Sequence, residues 1–154
     1  MKIADLLARD RVSAVSGPSA KRQVLAHAAE LAARACGLEA SALAAGLNER
    51  ELLGSTGLGS GVAVPHARSV GVERPFGVFL RLDTPVAFQA LDDQPVDLVF
   101  ALFAPERAGV EHLQALASVS RFLRSEAVRD ALRDAADEDV LYALLTQDRE
   151  AVAA

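Results

Sequence analysis

The chain holds one cysteine, Cys36, among its 154 residues. A lone thiol excludes an internal disulfide and a cysteine-built zinc site. Its alanine-rich helical surroundings mark it as a small buried apolar residue. No run approaches the roughly 20 apolar residues that cross a bilayer. The opening "MKIADLLARDRVSAV" has no long apolar core, so no secretory leader is expected. Positive charge is also in deficit: 16 Lys and Arg stand against 21 Asp and Glu, giving −5 overall, which argues against a nucleic-acid binder with a basic face. No internal repeat is visible at periods of about 20–50 residues. These absences predict a cytoplasmic protein without membrane insertion or nucleic-acid binding. The length fits one domain spanning residues 1–154, with a tail after about residue 148 that frays.

What is present alternates in character. "IADLLARD" reads as a short helical turn and "RVSAV" as a strand. "SGPSAKRQVLAHAAELAARACG" reads as a helix started by Pro18 and Ser19 and stopped by Gly37. "LEASALAAGLNERELLG" continues as helix with a break expected near Gly46. "GVAVP" and "FGVFLRLD" have strand character, and "PVDLVFALFA" is an apolar run suited to a strand covered on both faces. Three helices follow, with Ser125 and Asp137 as N-caps of the last two. Helices on both sides of an apolar strand block imply a layered α/β domain with a central sheet flanked by helices on both faces.

The chemistry concentrates in "NERELLGSTGLGSGVAVPHARS", Asn48 to Ser69. Gly54, Gly57, Gly59 and Gly61 crowd ahead of His66. A phosphate loop would need a lysine after its last glycine, and Gly59 is followed by Ser60 and Gly61. The dinucleotide spacing G-x-G-x-x-G is absent, as is the G-x-S-x-G of serine hydrolases. With only His27, His66 and His112 and no H-E-x-x-H, no metal site and no cofactor are expected. What remains is an imidazole beside an anion cradle. Glycines let backbone N–H groups approach an anion. Ser55, Thr56 and Ser60 add hydroxyls, and Arg50 adds a planar cationic fork. A neutral imidazole with a free ring nitrogen can take a covalent group at pH 7.

"RELLGSTGLGSGVAVPH" resembles the active-site segment of the type-2 enzyme IIA domains of the bacterial phosphotransferase system, the fructose, mannitol and nitrogen-regulatory group. The likeness extends through "DQPVDLVFALFAP" and "EHLQALASVSRFL", so it covers most of the chain. It implies a mixed sheet and makes His66 the phosphorylated histidine. It makes Arg50 and His112 its phosphate-contacting neighbours, and it puts Ser55 and Thr56 in the family's hydroxyl positions. Ser60 departs from the pattern, because nitrogen-regulatory members often have asparagine there. The implied donor is a small histidine phosphocarrier protein. The implied partners are transporters, kinases or other proteins regulated by phosphorylation state. One domain with no linked IIB or permease segment favours the nitrogen-regulatory branch. A fructose- or mannitol-type IIA serving a separate IIB, or a binding module that is never phosphorylated, are the alternatives.

Overall fold

The apolar run forms the centre of a six-stranded sheet in the computed structural model, which describes residues 1–147. The expected fraying of the tail falls outside the described residues. Two 3-10 turns, Ile3–Asp5 and Arg9–Arg11, precede β1 (Val12–Val15), α1 (Lys21–Cys36) and α2 (Ala40–Leu52). Next come β2 (Gly57–Gly59), β3 (Val62–Ala63), β4 (His66–Ser69), β5 (Phe76–Val86) and β6 (Val96–Pro105). The described chain closes with α3 (Val110–Leu123), α4 (Glu126–Asp134) and α5 (Glu138–Thr146). Among the described residues no helix is long and apolar enough to cross a membrane.

The strand order is β1-β5-β6-β3-β2, with β4 also on β6. β5 and β6 run antiparallel, while β1 lies parallel to β5, and β3 and β4 lie parallel to β6. The sheet is therefore mixed, and helices cover both faces. Alternation along β6 explains why: Val99, Ala101 and Phe103 pack with α1 and α2, whereas Leu98, Phe100 and Leu102 pack with α3, α4 and α5. Each fully buried Phe or Leu contributes roughly 1.5–3 kcal/mol of transfer free energy. Ser125 and Asp137 cap α4 and α5, accepting from the Val128 and Val140 amides. Arg81 closes the other end of α4, donating to the Leu132 and Ala135 carbonyls at 3.0 and 2.7 Å.

Two local expectations change. α1 begins at Lys21, so Pro18 and Ser19 lie before it, and Ser19 instead meets Gln23. α2 runs unbroken through Gly46. A Cβ there would sit 3.2 Å from the Ala67 Cβ, so the glycine lets α2 lie close on β4. Neither β2 nor β4 was anticipated.

The free edge of β6 is shared by two short strands. Val62 and Ala63 pair with Leu98 and Val99; His66 through Ser69 then pair with Leu102 through Pro105. Pro65 bridges them. It has no N–H to offer, but its carbonyl accepts from the Leu102 amide at 2.8 Å. The Val64–Pro65 bond is trans.

The glycines serve packing inside the protein. A Cβ on Gly57 would lie 2.7 Å from that of Ala90, and one on Gly61 would strike the Arg133 guanidinium and Asp97. Arg133 grips both Asp97 oxygens at 2.9 Å and the Ser60 carbonyl at 2.7 Å. Ser60 itself is left-handed (φ 57°), a conformation that asparagine also tolerates. The β2–β3 hairpin is thus bolted down. Gly57→Ala should lower unfolding stability by about 1–3 kcal/mol, read as a shifted urea midpoint, because the Ala90 backbone lies just behind its Cβ.

Candidate active site

Three of the residues singled out in the sequence converge. His66 opens β4, Arg50 lies in the last turn of α2, and His112 lies in the first turn of α3. His66 Nδ1 lies 2.9 Å from the Val64 carbonyl. A carbonyl only accepts, so Nδ1 carries the proton and Nε2 keeps its lone pair. Arg50 Nε donates to that Nε2 at 3.2 Å, and Arg50 Nη1 donates to the Gly54 carbonyl at 2.9 Å. The His112 ring stands 5.4 Å from the His66 ring, centroid to centroid, tilted by 52°.

Both imidazoles are held neutral. Burial pushes the His66 pKa down and Arg50 pushes the same way, against the Val64 carbonyl and Glu51. Burial, then His66 and Arg68, push His112 down to about 4. His112 is 7% exposed, and its Nδ1 is buried with no hydrogen-bond partner. An orphaned buried N–H is the rarer arrangement, so the proton belongs on Nε2. At neutral pH His112 therefore offers a donor and no charge of its own. Its place near the start of α3 adds free N–H groups and a partial positive charge.

Ser55 and Thr56 are turned to other work. Ser55 Oγ donates to the Phe88 carbonyl at 2.5 Å and accepts from the Gly57 amide at 3.0 Å. Thr56 Oγ1 donates to Glu51, and its amide does so at 3.2 Å. Their hydroxyl protons are spent inside the protein, so the expected pair of hydroxyl donors is committed to fixing the loop. His27 stays on α1, partly exposed. Among the described residues no group of three or more His, Cys, Asp and Glu could hold a metal ion. Glu51 was not assigned a role from sequence; its only signal was its place beside Arg50 in the motif.

A partly buried imidazole lone pair, a guanidinium aimed at it and a helix start with a second imidazole form a corner whose chemistry suits a nucleophile beside an anion. The comparisons agree with that class of protein. The family model described as phosphoenolpyruvate-dependent sugar phosphotransferase system, EIIA 2, matches residues 5–148. The nitrogen regulatory protein of Bradyrhizobium diazoefficiens is 42% identical over 145 residues, covering 94% of this chain and 95% of that protein. That of Pseudomonas aeruginosa is 44% identical over 126 residues, covering 81% of this chain and 82% of its own. The crystal structure of nitrogen regulatory protein IIA-Ntr from Neisseria meningitidis matches with a TM-score of 0.86 at 34% identity, covering 94% of this chain and 99% of that one. The chain belongs to the type-2 EIIA family of the phosphotransferase system, whose members are phosphotransfer components.

The depressed His112 pKa makes a stability prediction. The unfolded chain protonates this ring near 6.5, the folded protein only near 4. Between those values the unfolded state binds more protons, so stability is intact above about pH 6.5 and is lost as pH falls toward 4. His112→Gln should flatten that part of the stability–pH curve, measured by urea unfolding at stepped pH.

Proposed function

We propose that this protein is a phosphocarrier of the nitrogen-regulatory branch, accepting a phosphoryl group on His66 Nε2 from a small histidine phosphocarrier protein. Its phosphorylation state would then govern contacts with regulated partners. The observation that carries this reading is the tautomer: the Val64 carbonyl holds the Nδ1 proton, leaving the Nε2 lone pair beside Arg50. The nitrogen regulatory proteins matched nearly end to end support the choice of branch.

In the transfer, the Nε2 lone pair forms the new bond to phosphorus. The donor's N–P bond breaks, and its electron pair returns to the donor histidine. Nδ1 keeps its proton, so the product ring is cationic and its N–H stays on the Val64 carbonyl. The Arg50 guanidinium moves from the ring nitrogen to the phosphoryl oxygens, and the His112 Nε2–H donates to another. These donors stabilise charge spread over the oxygens in a loose transition state. Exposed apolar side chains flank the site along the chain: Leu52 and Leu53 follow Arg50, and Val110 and Leu113 bracket His112. Such surface suits docking of a protein donor.

Incubation with the phosphorylated carrier of the nitrogen branch, and separately with that of a sugar branch, tests the reading by mass spectrometry. An acid-labile, base-stable label on His66, formed faster from the nitrogen-branch donor, is expected. Label on a serine, or label persisting in His66→Ala, would refute it; faster labelling by the sugar-branch donor would move the protein to a sugar-uptake role. Arg50→Lys should slow transfer by about tenfold to a hundredfold in stopped-flow assays, since a charge-assisted fork is worth about 1.5–3 kcal/mol. His112→Ala should slow it too, with the fold retained by circular dichroism.

A further inference from the structure

Glu51 is half of the Arg-Glu pair in the motif, yet the transfer step gives it no part. Its side chain is only 5% exposed. A carboxylate at such depth is costly unless paired and hydrogen-bonded. Here it is both. Lys21 Nζ lies 2.9 Å away, and the Thr56 amide and hydroxyl donate to it. Lys21 in turn sits over the Phe88 ring, 5.1 Å from its centroid.

The purpose of this investment lies in the turn between Glu51 and Thr56. α2 ends there: the Leu53 amide donates to the Arg50 carbonyl and the Gly54 amide to that of Glu51, both at 3.1 Å. Gly54 adopts φ 147°, a conformation open to glycine. Its carbonyl is the one that Arg50 Nη1 grips at 2.9 Å. With Nη1 held there, the planar fork presents Nε to His66 Nε2. Without a fixed Gly54 carbonyl, a long Arg side chain would sample many rotamers. The Glu51–Thr56 clamp closes the turn from its far side, and Ser55 ties the same turn to the Phe88 carbonyl.

We propose that Glu51 is a positioning residue for Arg50: its carboxylate, neutralised by Lys21, clamps Thr56 and so holds the Gly54 carbonyl that aims the Arg50 guanidinium at His66 Nε2. The inference rests on His66 being the phosphoacceptor. A merely structural clamp would secure the end of α2 and alter stability, but its effect on transfer would not depend on Arg50.

A double-mutant cycle separates the two. Phosphoacceptance rates are measured for wild type, Glu51→Gln, Arg50→Ala and the double variant. Glu51→Gln should slow transfer by about tenfold, the scale on which small misplacements of a positioning group act. In the Arg50→Ala background the same change should alter the rate less than about twofold. Equal slowing in both backgrounds overturns the proposal. A second readout needs no transfer: nitrogen-15 NMR of the unphosphorylated protein follows the Arg50 Nε–H resonance and the His66 ring nitrogens. Loss of the Nε–H to Nε2 hydrogen bond in Glu51→Gln is expected, and an unchanged spectrum overturns the proposal. Thr56→Val reads the clamp from its other end without stranding a charge, and replaces Glu51→Gln in both measurements if that variant does not fold. Wild-type rate and spectrum in Thr56→Val would likewise overturn it. Should the wild-type protein take no label at His66, the phosphoacceptor reading fails, while the spectra still decide whether Glu51 positions Arg50.

Discussion

Two successive carbonyls decide where the His66 lone pair sits. Pro65 gives its carbonyl to the Leu102 amide, which locks this stretch of edge to the central strand. Val64 is fixed from the other side, its amide donating to the Thr56 carbonyl at 3.0 Å. With both peptide units set, the Val64 carbonyl is left to take the imidazole Nδ1 proton. A proline at the joint interrupts the ladder where another residue would have offered an N–H. The tautomer of His66 is thus a consequence of strand register. Arg50 and His112 then only have to be delivered to the nitrogen that register leaves free.

The electrostatics of the corner follow from keeping charge off its two imidazoles. Two imidazoles with centroids 5.4 Å apart cannot both be charged cheaply in a buried setting. Burial resolves this by favouring the neutral form of both, and the Arg50 guanidinium bonds His66 directly. Lys21 is spent on Glu51, and Arg68 bears on His112. On the proposed function, an incoming phosphoryl group meets a cation already beside the ring nitrogen, which has only to shift from that nitrogen to the phosphoryl oxygens.

The parts that sequence made legible are those governed by local rules. The continuous apolar run of β6 suits a strand buried on both faces, and Ser125 and Asp137 announce helix starts through their own side chains. The Arg50–His66–His112 set was legible through a long motif rather than through periodicity. What stayed hidden depends on distant partners. β2 and β4 are too short to show a pattern, and they exist because β3 offers an edge to the one and β6 to the other. Gly46 looked like a break because propensity ignores Ala67, against which it packs. The bonds of the Ser55 and Thr56 hydroxyls to Phe88 and Glu51 were hidden too, because nothing in their spacing reveals those partners.

The glycines change meaning once the packing is known. A run of permissive residues ahead of a nucleophile invites the idea of a loop that yields to its ligand. Here Gly57 yields to Ala90, and Gly61 yields to Arg133 and Asp97. Their missing side chains let the hairpin press against its neighbours, and polar bolts at Ser60, Asp92 and Arg133 then hold it there. Small residues in this loop make it rigid, not loose. A rigid loop is what the proposed phosphotransfer asks for, because the lone pair of a neutral imidazole would serve it only by waiting in one direction for the phosphorus atom of a donor.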